Sequence, residues 1–279
     1  MNSYLRARDL LQQFSPQLLI APDGNTHHLL FQIPAMNPHN PKVEGYVEKN
    51  GEILAICAGK RVLHLGCVGF TDSPVDLKIQ LAKESLHQSL SGCCDCTGVD
   101  LDATSIAQLQ HDGIFKNVIT GDVEKLSELP AGLGLFDIIV AGDIIEHLSN
   151  PGAMLDGAKS LLKPGGQLIV STPNAMGLPA YARFVLGTFR EGGQHVLAFN
   201  SAVLFQLLTR HGYKILHIYT GYQKASKTNI GPFFEIGKWI FSFVPKFGGT
   251  LFFVATPDQA LPGMPGFTAI PAEAKHSLY

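Results

Sequence analysis

The strongest constraint on the fold is the regular alternation of short apolar runs with helical patterns after residue 60. The apolar runs predict seven buried strands, at 61–66, 96–100, 117–122, 135–143, 167–173, 214–222 and 249–257. Capped amphipathic stretches predict the helices between them, at 72–90, 102–113, 150–166 and 201–213. This alternation is typical of a doubly wound, mostly parallel α/β sheet. No amphipathic crossover helix separates the last two strands, so the last strand is predicted to be antiparallel.

Three parts are predicted along the 279 residues. Residues 1–58 form a helical or irregular extension, with one helix near 4–14 and another over 43–57. Residues 59–257 form the α/β domain, which two segments interrupt on the ligand side of the sheet, at 174–200 and 223–248. Residues 258–279 are rich in Pro, Gly and Ala and predict a loosely ordered tail.

Composition argues against several classes of protein. The formal net charge is −2 and the longest basic cluster is "GKR", so a nucleic-acid partner is not expected. No apolar run approaches the roughly 20 residues that span a bilayer, so no transmembrane span is expected. The first residues lack the apolar core of a signal peptide, and the expected location is cytoplasmic.

Polar residues stand where successive predicted strands end. A glycine turn begins at Gly66, and acids follow the next three strands at Asp100, Asp122 and Asp143. Ligands of open α/β sheets bind in the crevice at the carboxyl ends of the strands. A glycine turn admits a ligand to the backbone, and an acid can accept both hydroxyls of a ribose, so the pattern predicts a nucleoside pocket. Taken alone, Asp100 could instead cap the next helix, and Asp122 could be a turn residue.

Over about 60–255 the chain resembles class I S-adenosylmethionine-dependent methyltransferases of the type that includes the ubiquinone-pathway O-methyltransferases. The matching stretches are "VLHLGCVG" (62–69), "GVDLD" (98–102), "GDVEKL" (121–126), "FDIIVAGDIIEHLSNP" (136–151), "LLKPGGQLIVSTPN" (161–174) and "GYKI" (212–215). The resemblance implies a Rossmann-like seven-strand domain with S-adenosylmethionine, or its demethylated product S-adenosylhomocysteine, as the cofactor. It implies a cofactor-binding set of His64, Gly66, Cys67, Gly69, Asp100, Leu101, Asp122, Val123 and Asp143.

Within that set, the resemblance places the first glycine turn at the methionine end, Asp100 at the ribose, Asp122 and Val123 at the adenine and Asp143 near the sulfonium. This sequence departs from the family pattern, because His64 stands at the usual acid and Val68 and Phe70 replace two glycines. Asp72 and Asp143 are the candidates to replace the missing acid. These departures motivate the hypothesis of a binding or partner protein that keeps the fold without methylating.

The segment "DIIEH" carries the candidate catalytic groups. One helical turn would place Asp143, Glu146 and His147 on the same face, and His195 returns from the segment after the fifth strand. Some relatives with this pattern bind Mg²⁺, so the resemblance implies a divalent-ion site on these four residues. The alternatives are that His147 or His195 acts as a general base without metal, or that Glu146 and His147 only pack beneath the pocket.

The two inserted segments carry many aromatic residues and predict the wall of a small, largely apolar acceptor. The expected reaction is O-methylation of such a molecule, and the alternative acceptor is the 2′-oxygen at an RNA end. The apolar stretch 231–247 has four interpretations that stay open: a lid over the acceptor, a homodimer contact, a membrane-surface contact and plain core packing.

Overall fold

The computed structural model describes residues 40–69, 73–188, 192–222 and 232–258, without the side chains of Val75 and of 232–236. These residues lie within one compact unit. The helix predicted near 4–14 and most of the predicted tail lie outside the described residues.

One sheet organises the described part of the chain. Its eight strands are β1 (Gly45–Glu48), β2 (Arg61–Leu65), β3 (Asp95–Asp100), β4 (Val118–Thr120), β5 (Phe136–Gly142), β6 (Leu162–Pro173), β7 (Tyr213–Tyr222) and β8 (Thr250–Pro257). Their order is β1-β7-β8-β6-β5-β2-β3-β4. β8 runs antiparallel to both β6 and β7, and the other neighbouring strands are parallel. The predicted doubly wound class and the antiparallel last strand are confirmed.

The additional strand comes from the segment 43–57, which was predicted to be a single helix. Residues 45–48 instead pair with β7, and the helix begins only at Lys49. Glu48 causes the break, because its backbone is extended and its carboxylate accepts hydrogen bonds from the N–H groups of Asn50 and Gly51. A carboxylate in this capping position satisfies donors that the first helical turn leaves unpaired.

Helices cover both faces of the sheet. In the described residues they are α1 (Lys49–Cys57), α2 (Val75–Ala82), α3 (Leu86–Cys93), α4 (Ala103–His111), α5 (Pro151–Leu161), α6 (Leu178–Val185), α7 (Ser201–Arg210) and α8 (Pro232–Phe243). The helix predicted at 72–90 is two helices, because the Ser85 hydroxyl caps a new start by accepting from the Gln88 N–H at 3.2 Å. Within the described ranges, no helix is long and apolar enough to cross a membrane.

The topology fixes where a ligand can bind. From β2 the chain winds outward to β3 and β4, then returns to β5 on the other side of β2. The switch point of the sheet therefore lies between β2 and β5, where ligands of open α/β sheets bind. Both strands are almost wholly buried, which holds their carboxyl ends in a rigid frame.

Candidate active site

The turn after β2 keeps the left-handed backbone that its glycines allow. Gly66 has φ 71° and Gly69 has φ 61°. The Gly66 N–H donates to the Val99 carbonyl at 2.8 Å, and a Cβ on Gly66 would come 2.8 Å from the Ile144 side chain. Val68 stands where the family pattern has a glycine, and its N–H donates to the Asp100 carboxylate at 2.8 Å. The described part of the turn, which ends at Gly69, keeps this conformation although Val68 replaces a glycine, and Phe70 and Asp72 lie outside the described residues.

Asp100 braces this turn from the end of β3. Asp100 is only 6% exposed. Its two carboxylate oxygens accept hydrogen bonds from the N–H groups of Val68 and Asp102, at 2.8 and 3.1 Å. Each carboxylate oxygen has a second acceptor position, so a ribose can still be bound. Asp102, rather than Asp100, caps α4, and the neighbouring Leu101 is 68% exposed at the crevice.

Asp122 and Val123 follow β4 as predicted. The Asp122 carboxylate accepts from the Glu124 N–H at 2.9 Å and so caps a 3₁₀ helix that begins at Val123. Val123 is buried beneath it. Asp122 therefore acts as a turn residue, which was the alternative interpretation of its position. Its contact with the adenine stays a prediction.

His64 does not provide the charge of the acid that it replaces. Its ring is buried and stacks on His87, with 3.4 Å between the two Nδ1 atoms. Burial lowers the pKa of His64 well below its usual value, and His87 and Lys49 lower it further. Cys67 is buried in the same region. Both belong to the packing beneath the turn, and their contact with a cofactor stays a prediction.

Among the described residues, Asp143 is not part of the cluster that the other candidate catalytic groups form, although it lies close enough to Glu146 to help raise the pKa of that acid. Its φ of 51° is the only positive value at a non-glycine among the described residues. Its carboxylate forms an ion pair with Lys49 and accepts from the Ser171 hydroxyl at 2.9 Å. The following helical turn is 3₁₀ and begins only at Ile145, so the i, i+3, i+4 spacing does not place Asp143 on a common face.

Glu146, His147 and His195 do lie together. One ligand atom from each falls within 4.8 Å of the others, and the two imidazole rings meet edge to face at 4.8 Å between centroids. The segment carrying His195 is fastened to the 3₁₀ turn, because the Val196 and Leu197 N–H groups both donate to the Glu146 carbonyl. His147 Nδ1 lies 3.1 Å from the Gln194 carbonyl oxygen, which makes it the donor and leaves Nε2 as the acceptor.

The environment of Glu146 is unusual for an acid. The residue is 2% exposed, and the Thr172 hydroxyl donates to its carboxylate at 2.9 Å. Burial raises the pKa of Glu146 to about 7. A buried acid that titrates near neutrality beside two histidines is a candidate for proton transfer or metal binding.

A cavity of about 230 Å³ opens beside this cluster. Glu146 and His195 form part of its wall with Thr172, Asn174 and Arg183. The rest of the lining is mostly small or apolar: Pro173, Ala175, Pro179, Ala180, Gly192, Leu197, Ala198 and Gly249. Most of these residues come from the 174–200 segment, and the others come from the 3₁₀ turn, the end of β6 and Gly249, which precedes β8. In the described part of the chain, the lining includes no Phe, Tyr or Trp and no residue of 223–248, so the predicted acceptor wall stays a prediction.

The residues present fit both implied groups. A carboxylate and two imidazoles suit a divalent ion with open positions. For the cofactor, the left-handed glycine turn, the acid at the end of β3 and the exposed Leu101 provide backbone access, ribose acceptors and an apolar contact. Lys49, Thr172 and Gln194 belong to the site but were missed. The sequence does contain a signal for Lys49. Its helical spacing to Ile53 and Cys57 places it on the buried face of α1.

A family model described as a methyltransferase domain matches residues 41–218. Two similar curated proteins are ubiquinone biosynthesis O-methyltransferases. One, from Pectobacterium carotovorum, is 30% identical over 139 residues, or 48% of this chain and 51% of the relative. The other, from Xylella fastidiosa, is 31% identical over 153 residues, or 53% of this chain and 54% of the relative. The chain thus spans about half the length of these relatives.

Among solved structures, a SAM-dependent methyltransferase from Thermotoga maritima superposes with a TM-score of 0.50 at 16% identity. The match covers 77% of this chain and 90% of that protein. A likeness at this identity supports the fold alone.

Proposed function

Because the chain belongs to the methyltransferase-domain family, we propose that it methylates a hydroxyl oxygen of a small, largely apolar acceptor. Membership confirms the resemblance to methyltransferases, and it supports the proposed transferase activity with S-adenosylmethionine as the methyl donor. The observation that carries the acceptor class is the cavity beside Glu146 and His195. Its lining combines five polar or charged residues with residues that are mostly small or apolar. O-methylation is further supported by the names of the relatives.

Bound S-adenosylmethionine supplies a methyl group that is already activated by its sulfonium. The protein must position the acceptor and take up its proton. Glu146 and His195 line the proposed acceptor cavity, and with the neighbouring His147 they form a cluster of groups that can accept a proton. The turn at Gly66 and the acid at Asp100 lie across the switch point and would bind the donor. The fold thereby separates donor recognition from acceptor recognition.

Two forms of the cluster account for removal of the proton. In one, Glu146, His147 and His195 would hold a divalent ion, which would make the acceptor hydroxyl easier to deprotonate. In the other, His195 or His147 accepts the proton directly, and Glu146 orients the ring. Asp143 belongs to neither form, because its carboxylate contacts Lys49 and Ser171.

The direct test uses methyl-labelled S-adenosylmethionine with apolar mono- and dihydroxybenzenes, and in parallel with RNA oligonucleotides. We expect label on the phenolic oxygens and none on the RNA. Label on the RNA 2′-oxygen would support the alternative acceptor and contradict this one. Cofactor binding without transfer to any of these acceptors would favour a non-catalytic partner protein.

Metal binding gives a prediction that does not depend on turnover. Calorimetric titration of the chelator-treated protein with Mn²⁺ should show one site, and Glu146→Gln should weaken it by about tenfold, because a charged ligand becomes neutral. Asp95→Asn is the matched control, because Asp95 begins β3 at the edge of the sheet opposite the crevice, and unchanged affinity is expected. Absence of any Mn²⁺ binding, together with activity that survives chelation, would leave the histidines as bases.

The packing around Gly192 gives a prediction about geometry. A Cβ there would lie 2.6 Å from His195 Nε2, so Gly192→Ala must displace the imidazole. We expect kcat to fall by roughly tenfold, since small displacements of a catalytic group are costly. Gly193→Ala is the control, because its Cβ meets no atom within 4 Å. Equal activity of the two variants would show that the position of His195 does not matter.

Two helices carry exposed apolar groups. On α6, which contributes to the cavity lining, these include Tyr181 and Phe184, at 61% and 68% exposure, and on α8 they include Trp239 and Phe243, at 64% and 69%. The exposed groups on α6 fit the entry of an apolar acceptor. A homodimer or membrane-surface contact through 231–247 stays a prediction.

A further inference from the structure

Lys49 is a buried cation at the edge of the switch point. It is the first residue of α1, and its side chain is only 5% exposed. Its ammonium forms an ion pair with the Asp143 carboxylate across 94 residues of sequence. Removing an ammonium from water is costly, and a single ion pair seldom makes the arrangement favourable for stability alone. Such a pair is therefore a candidate for a functional role.

The pair lies beside the turn that is expected to hold the amino-acid end of the cofactor. Asp143 directly precedes Ile144, the residue whose side chain packs under Gly66. Lys49 is also near enough to His64, at the end of β2, to lower the pKa of that imidazole. The ion pair and the glycine turn thus face the same end of the crevice, between β2 and β5.

Asp143 is held in a fixed orientation that keeps part of it accessible. Its N–H donates to the Ser171 carbonyl at 2.9 Å, and its other carboxylate oxygen accepts from the Ser171 hydroxyl at 2.9 Å. The side chain nevertheless stays 38% exposed. The left-handed backbone at this residue is costly for a non-glycine and, at functional sites, is maintained by surrounding contacts of this kind.

We propose that Lys49 and Asp143 together bind the zwitterionic amino-acid group of the cofactor, with Lys49 on its carboxylate and Asp143 on its ammonium. This rests on the proposed use of S-adenosylmethionine. An ammonium has three donors, so pairing with Asp143 leaves capacity for a second carboxylate. The two fixed charges match the two charges of the ligand. The pair also replaces the acid that is lost at His64, since Asp143 supplies a negative group from the neighbouring strand.

Calorimetry with two ligands tests this assignment. S-Adenosylhomocysteine carries the amino-acid group, and 5′-methylthioadenosine has the same nucleoside thioether without it. Lys49→Met should weaken the binding of S-adenosylhomocysteine by about tenfold or more, because a charged hydrogen bond is lost. The affinity for 5′-methylthioadenosine should be unchanged. Asp143→Asn, which keeps the size of the side chain, should give the same selective loss and guards against a misfolded Lys49 variant.

Lys78→Met is the matched control, because Lys78 is another lysine with a side chain 5% exposed, and it is paired with Asp102. If removing a buried lysine has a general effect on the protein, Lys78→Met should change the affinities for both ligands equally. Equal losses for the two ligands in Lys49→Met and Asp143→Asn would overturn the proposal and make the pair a structural contact between α1 and β5. Unchanged binding in both variants would also overturn it. Failure of the unaltered protein to bind either ligand would instead count against the proposed function.

Discussion

Replacing His195 by alanine is expected to lower kcat by roughly 10²-fold and to leave cofactor affinity nearly unchanged. His195 lines the acceptor cavity and meets His147 edge to face, so it is placed to act on the acceptor. It lies in a different segment from the turn at Gly66 and from Asp100, which are the groups expected to bind the donor. The effect should therefore fall on the chemical step in both forms of the cluster, whether His195 is a base or a metal ligand.

The measurement pairs steady-state kinetics with calorimetric binding of S-adenosylhomocysteine. His111→Ala is the control, since that histidine has an 83% exposed side chain on α4, and it should retain full turnover. A His195 variant that turns over normally would exclude His195 as base or metal ligand and leave His147 as the candidate base. A variant that loses cofactor affinity to the same extent as kcat would place His195 in the donor site instead.

The strand pattern sufficed to predict the fold because buried strands are continuous apolar runs, and their length and spacing identify a parallel sheet. Residues 167–173 of β6 and its antiparallel partner β8 are such apolar runs, whereas residues 162–166, which were predicted as the end of a helix, belong to β6. The segment 43–57 does not follow the rule, because its helical composition continues back through residues that pair with β7. That pairing joins residues more than 170 positions apart, and no local pattern encodes it.

The site was predictable where chemistry follows topology. Acids at the ends of β3 and β4 could be placed in the crevice because parallel strands end on one edge of a sheet. The orientation of Asp143 could not be predicted, because nothing in "GDIIEH" indicates a left-handed backbone at a residue other than glycine. The pairing of Asp143 with Lys49 could not be predicted either. As with β1, the contact joins two segments that are distant in sequence.

The two acids that follow β5 illustrate how environment divides similar groups. Asp143 is paired with a lysine and a serine hydroxyl and remains partly exposed, whereas Glu146 is buried beside two histidines. Burial raises the pKa of Glu146 to about 7. Neighbouring acids held in different environments are a recurring way for one site to bind charge and move protons. In the proposed reaction the first acid would bind the donor, and the second, which lines the cavity, would act on the acceptor.

Asp100→Ala should weaken S-adenosylhomocysteine by at least about tenfold, because hydrogen bonds from the ribose hydroxyls to a charged acceptor are lost. The same change removes the acceptor of the Val68 and Asp102 N–H groups. Those two donors lie in the turn after β2 and at the start of α4, so loosening of the turn would by itself reduce affinity. A simple loss of binding therefore does not identify Asp100 as the ribose partner.

The 2′-deoxy analogue of S-adenosylhomocysteine separates the two causes. The unaltered protein should prefer the ribose form by about tenfold, and Asp100→Ala should abolish that preference, since the two changes remove the same interaction. Asp102→Ala is the control. It loses the cap of α4 and the ion pair with Lys78, yet should keep the ribose preference. A preference that survives in Asp100→Ala would confine Asp100 to bracing the turn and require another group to bind the ribose.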